Sequence, residues 1–156
     1  MKIKDIILGI GIMVLLVLID QLTKIWVVKS FEYQKEIKVI PKIINFKYTT
    51  NEGGAFSIFS GNLVLFIIVT ILALLFFGYL MKDFNLQTRP FFSVSLILII
   101  AGTIGNFIDR ISRGSVVDFI EFAFWPRFAI FNFADMCLTV GIILMMGTLL
   151  IEDLVK

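Results

Sequence analysis

Asp118, within Val-Val-Asp-Phe-Ile at 116–120, and Asp135, within Phe-Asn-Phe-Ala-Asp at 131–135, are carboxylates set among apolar residues with no basic neighbour beside them. Ionising a lone carboxylate in such surroundings is costly, so it has either a task or a partner elsewhere in the chain. Two carboxylates that meet can share one proton, and a pair of that kind can activate water. The sequence contains no histidine, which removes Ser-His-Asp and Cys-His catalysis and imidazole-based zinc sites. The acidic pair is therefore the leading candidate for chemistry, and an aspartic protease embedded in a membrane is the reaction class it fits.

The elements that must position this pair are apolar helices. Of the 156 residues, 59% are hydrophobic and the mean hydropathy is +1.00, beyond the range of an ordinary soluble domain. Uncharged runs cover 6–19, 63–81, 91–108 and 136–151. A spanning helix needs about 20 mostly apolar residues. The two middle runs meet that directly. The first does so by continuing through Asp20 and Lys24 to Val28, and the last by starting near Asp135. The expectation is an all-α membrane protein of four transmembrane helices (about 6–28, 63–81, 91–108 and 134–151), one domain over 1–156. The N-terminus resembles a signal peptide, but no small-residue cleavage site follows, and we read it as a retained first span.

Between the first two spans, 29–62 forms a long loop. Within it 36–49 reads as strand: Ile44, Phe46 and Tyr48 alternate with Asn45 and Lys47, and Pro41 marks a turn or an edge. A small sheet resting on the membrane surface is expected. The link 82–90 is short, polar and ends in Pro90, which favours a hairpin of helices two and three. The stretch 109–133 is aromatic-rich and interrupted by Glu121 and Arg127, suiting an interfacial loop. The net charge of +2 and the scattered basic residues give no footprint for nucleic acid. The single cysteine, Cys137, permits no intrachain disulfide and reads as a packing residue.

Other polar groups each carry a plainer reading. Asp20 and Lys24, four apart, share a helix face and can pair, easing a helix end out of the membrane. In Asn51-Glu52-Gly53-Gly54-Ala55-Phe56 the glycines allow a close backbone approach and the Asn can bond an extended peptide, or the segment is a tight turn. Gly102 and Gly105 allow close helix contact. Asn106 is polar near the end of a span. Asp109 and Arg110 are adjacent and need not pair with each other, and Arg110 can hold a lipid phosphate, orient a carboxylate or anchor the helix at the interface. Asp135 can cap a helix, and Asp118 can be an exposed loop residue. Asp20 has Lys24 nearby and Asp109 has Arg110, so elimination leaves Asp118 and Asp135 to face one another. A rival class is a small proton-coupled transporter with Asp20, Asp118 or Asp135 as proton carrier, though no repeat of the kind such proteins show is evident.

With these residues in view, the chain resembles lipoprotein signal peptidases, also called signal peptidase II. The blocks that carry the resemblance run in order: Asp20-Gln21-x-Thr23-Lys24, Asn51-x-Gly53-x-Ala55-Phe56, Gly105-Asn106-x-x-Asp109-Arg110, Val116-Val117-Asp118-Phe119 and Phe131-Asn132-x-Ala134-Asp135. The resemblance implies an aspartic endopeptidase of the bacterial inner membrane, needing no cofactor or metal. Its implied substrate is a prolipoprotein carrying diacylglycerol on a cysteine, cut before that cysteine, and its implied inhibitors are globomycin-type cyclic peptides. Asp118 and Asp135 match the catalytic pair. Asn51, Gly53, Asn106, Arg110, Asn132 and Ala134 match positions lining the substrate site, and Asp20, Lys24 and Asp109 match supporting ones. Gly54 departs from the alanine many members carry. A count of basic residues alone would put the large loops in the cytoplasm. The resemblance implies the reverse, with both termini cytoplasmic and the site at the outer face, and we adopt that orientation as the expectation.

Overall fold

Each apolar run becomes a helix because its backbone groups can be satisfied within the segment where no water reaches. The computed structural model describes residues 3–52 and 62–154, with helices α1 (Ile3–Ser30), α2 (Leu63–Leu80), α3 (Pro90–Arg113) and α4 (Phe133–Leu154). All four are long and apolar enough to cross a membrane. The Asn62 side chain accepts from the Leu65 N–H to cap α2 (3.1 Å). Pro90 opens α3, and Gly114 closes it in the left-handed region (φ 76°).

The central helix is α3, which packs against α1, α2 and α4 and is the most buried of the four. Its buried side reads Phe92, Leu96, Ile99, Ala101, Gly102, Gly105, Asn106 and Asp109, a helical stripe that turns from apolar to polar toward its C-terminus. On α1 the buried seam is Met13, Asp20, Lys24 and Val27, so the charged pair points inward. The outer faces of α1, α2 and α4 expose large apolar side chains such as Leu15, Leu75 and Ile143, a surface that suits lipid. Close helix approach depends on missing side chains. A Cβ on Gly102 would fall 2.5 Å from the Ala134 carbonyl oxygen, and one on Gly141 2.8 Å from Ile99 Cγ1.

The stretch expected as strand becomes a hairpin of β1 (Glu36–Ile40) and β2 (Ile44–Asn51), with Pro41 in its turn and Lys42 at φ 65°. A third strand, β3 (Val116–Phe122), pairs antiparallel with β2 in the order β1-β2-β3, with Thr49 opposite Asp118 and Asn51 opposite Val116. The Asn45 side chain donates to Glu36 Oε1 (2.9 Å) and Glu121 Oε2 (3.3 Å), tying all three strands together. This differs from the sequence expectation, in which 109–133 is one interfacial loop. Residues up to Arg113 belong to α3, and seven of the rest form β3. The strand escapes a period-two reading because both of its faces are covered. Val117 and Phe119 pack on Val27 of α1, while Val116, Asp118 and Phe122 line a cavity. The aromatic character expected of the stretch is retained beyond the strand, where the rings of Phe128 and Phe131 lie 5.5 and 5.0 Å from that of Phe122.

Gly102→Ala is expected to lower the melting temperature of the detergent-solubilised protein, at a cost of about 1–3 kcal/mol for overpacking, because the new methyl meets backbone that cannot yield. Gly147→Ala, where nothing lies within 4 Å, is expected to be neutral or slightly stabilising.

Candidate active site

At the C-terminal end of α3 and the N-terminal end of α4, polar side chains from α1, α3, α4, β2 and β3 converge. Lys24, fully buried, donates to Asp20 Oδ2 (2.9 Å), Asp109 Oδ2 (3.1 Å) and Asn106 Oδ1 (3.0 Å). An ammonium has three protons, and all three are placed. Asp20 also accepts from the Ala134 N–H (3.0 Å), satisfying an otherwise orphaned donor in the first turn of α4. Gly105 leaves room for this, since a Cβ there would stand 2.6 Å from Asp20 Oδ2. Asp109 also accepts from the Val117 N–H (3.1 Å), fixing the start of β3 against α3. The expected Asp20–Lys24 pair forms. The partners of Asp109 are Lys24 and, at 3.7 Å, Arg113, not the adjacent Arg110.

Asn106 and Asn132 extend this cluster toward the two aspartates. Asn106 Nδ2 donates to Asp135 Oδ1 (2.7 Å). Asn132 Oδ1 accepts from the Asp135 N–H (2.9 Å), and Asp135 Oδ2 accepts from the Asn132 N–H (3.1 Å). This reciprocal pair is a capping arrangement at the start of α4. The capping proposed for Asp135 is thus real but shared, with Asn132 ahead of the helix and Asp135 three residues on. The Asn132 amide nitrogen donates to Asp118 Oδ1 (2.7 Å) and Asn106 Oδ1 (3.1 Å), and Asn51 Nδ2 donates to Asp118 Oδ2 (3.1 Å). Asp118 and Asp135 are therefore linked through one residue, Asn132, which is wholly buried.

Both aspartates line a cavity of about 440 Å³. Asn51, Asn106 and Arg110 share its polar end, while Met136, Thr139 and Val140 of α4 and the rings of Phe122 and Phe128 form an apolar wall. The Arg110 guanidinium lies 4.9 Å over the Phe66 ring and donates to the Asn106 carbonyl oxygen (3.4 Å), a long bond. Asn132 and Ala134 stand behind the cavity without lining it, and Gly53 lies outside the described residues, as do Gly54, Ala55 and Phe56. Burial, and then the negative charge of Asp135, push the Asp118 carboxyl up to about 7, against the pull of the Asn51 and Asn132 amides.

Sequence reasoning named Gln21 within a block but gave it no role; its Nε2 donates to Asp20 Oδ2 (3.0 Å) and the Gly105 carbonyl (3.1 Å). It also missed the α4 wall. Thr139 is one turn beyond Asp135, a helical spacing that could have marked it.

The same constellation has relatives. Residues 12–151 match the family model described as Signal peptidase (SPase) II. The chain belongs to the signal peptidase II family. It is 43% identical over 143 residues to the lipoprotein signal peptidase of Streptococcus agalactiae, covering 91% of each chain. It is 45% identical over 138 residues to that of Streptococcus thermophilus, covering 86% of this chain and 87% of the other. A solved bacterial membrane enzyme superposes with a TM-score of 0.85 at 38% identity, covering 93% of this chain and 88% of that one. Membership of signal peptidase II bears out the peptidase reading of the sequence and the multi-pass bacterial membrane setting, and it displaces the transporter alternative.

The raised Asp118 value has a thermodynamic consequence. Between about 3.8 and about 7 the folded protein keeps a proton that the unfolded chain has released. The stability tied to Asp118 is thus full below that window and is lost as pH rises through it. Melting curves from pH 4 to 8 are expected to show the wild type losing stability relative to Asp118→Asn, with parallel curves counting against the assignment.

Proposed function

We propose that this signal peptidase II cuts diacylglyceryl-modified prolipoproteins immediately before the lipidated cysteine, with Asp118 and Asp135 as the water-activating pair. The observation that carries this reading is that the two carboxylates line one cavity and are bridged by Asn132. With one proton between them, the ionised member takes a proton from water while the oxygen of that water attacks the scissile carbonyl. The protonated member donates to the developing oxyanion. As the tetrahedral intermediate collapses, the carbon–nitrogen bond breaks and a proton passes to the leaving amine. The two titrate as a unit, so the resting proton belongs to the pair.

Asn51, Asn106 and Arg110 face the substrate backbone and its polar head, and Gly53 would serve the same segment. Asn132 and Ala134 act from behind, the first by orienting both carboxylates and the second by holding the α4 N-terminus on Asp20. The acyl chains lie along Met136, Thr139 and Val140, entering sideways from lipid, and globomycin-type cyclic peptides compete for the same space. Residues 1–156 act as one domain, with both termini cytoplasmic and the sheet at the outer face.

Asp118→Asn and Asp135→Asn are each expected to lower cleavage of a lipidated prolipoprotein by about 100- to 10,000-fold, with membrane insertion and a cooperative fold retained. Full activity in either variant removes that residue from the mechanism. For orientation, Lys38→Cys is expected to react with a membrane-impermeant thiol reagent on cells made permeable only in the outer envelope, and Lys82→Cys to be protected. The opposite pattern would invert the topology.

A further inference from the structure

The direction of the hydrogen bond that Asn106 makes to the acidic pair traces to one group that does not reach the cavity. An asparagine amide can ordinarily be turned end for end. Here Asn106 Oδ1 faces the Lys24 ammonium, which has donors only, so its Nδ2 must face Asp135. Asn132 Oδ1 faces the Asp135 backbone N–H, so its Nδ2 must face Asp118. Both amides are thereby locked with their donors on the carboxylates. Lys24 is fully buried and absent from the cavity wall, so it can touch neither peptide nor lipid substrate.

We propose that Lys24 is a positioning residue that, through Asn106, fixes the donor polarity at Asp135 and sets the pH at which the pair of Asp118 and Asp135 reaches its one-proton state. The proposal rests on the reading of those two aspartates as the water-activating pair. Among the described residues, the charged groups that act on the pair are Asp20 and Lys24 from α1 and Arg110 from α3, while Asp109 of α3 acts on Lys24 and Arg110. The flanking β2 contributes the neutral Asn51. Lys24 is the cation joined to the pair by a continuous run of short bonds: 3.0 Å to Asn106, then 2.7 Å on to Asp135. Its charge is in turn moderated by Asp20 and Asp109. Removing the ammonium should make the first ionisation of the pair harder. Removing one of its counter-anions should make it easier.

The test is the pH profile of kcat and kcat/KM for cleavage of a lipidated prolipoprotein by the purified full chain, comparing wild type, Lys24→Met and Asp109→Asn, with a melting curve for each. Lys24→Met is expected to move the acid limb up by about one pH unit, with KM nearly unchanged. Asp109→Asn is expected to move the same limb down. A role confined to holding the fold would reduce rates in both variants and leave the limbs in place, and that result in folded protein overturns the proposal. If Lys24→Met does not fold, Asp109→Asn decides: a downward limb supports the proposal and an unmoved limb defeats it. Failure of the underlying reading is distinct, because it appears as retained cleavage in Asp118→Asn.

Discussion

A lysine ammonium with no solvent exposure must find partners for its charge and its protons inside the protein, and Lys24 finds them on three side chains. Leaving such a charge unpaired costs about 3–5 kcal/mol when one partner is lost, so the geometry of this cluster is strongly constrained. Asp20 comes from the same helix one turn earlier, and Asp109 and Asn106 from the end of α3. Each of these does a second job. Asp20 holds the first turn of α4, Asp109 holds the start of β3, and Asn106 holds Asp135. Four elements meet on one buried cation, and the arrangement at the cavity follows from how they meet.

The cluster also separates two kinds of polar residue. Asp20, Lys24, Asp109 and Asn132 are buried and satisfied by one another, as groups in a low-dielectric interior must be. Asn51, Asn106, Arg110, Asp118 and Asp135 reach the cavity. Asn106 and Asp118 belong to both worlds, being nearly inaccessible yet part of the wall. A carboxylate placed so is held by amides on one side and open to a reacting group on the other. Burial and its like-charged neighbour keep Asp118 near neutrality in its titration, where one proton can be shared between two acids.

Glycines make the polar centre reachable. Gly105 admits Asp20 and Gly102 admits the Ala134 carbonyl, so α1, α3 and α4 approach closely at the level of the site. Away from it the helices turn bulky apolar side chains outward, and α2 contributes little buried surface of its own. Packing specificity is concentrated where the chemistry is, while lipid covers much of the remainder. This division suits a membrane enzyme, because burial of apolar surface against neighbours gains little where the solvent is itself apolar.

Sequence alone determined the four spans, the strand character of 36–49 and the two aspartates, because each rests on a local signal: run length, alternation, or a charge without an adjacent counterion. It also placed Asp20 with Lys24, since four residues on a helix is a short-range relation. Tertiary structure alone decided what joins distant segments. Val116–Phe122 is a strand because β2 offers an edge and α1 covers one of its faces, which no local period reveals. Asp109 turns to Lys24 and Arg113 although Arg110 is its neighbour in sequence, because adjacent residues on a helix diverge by about 100°. The bridging of Asp118 and Asp135 by Asn132, and the run of bonds from Lys24 through Asn106 to Asp135, arise only when three helices and a sheet edge close on one point. Hydrogen bonds are short and directional, so they record where the chain has come together in space, whatever the distance along it.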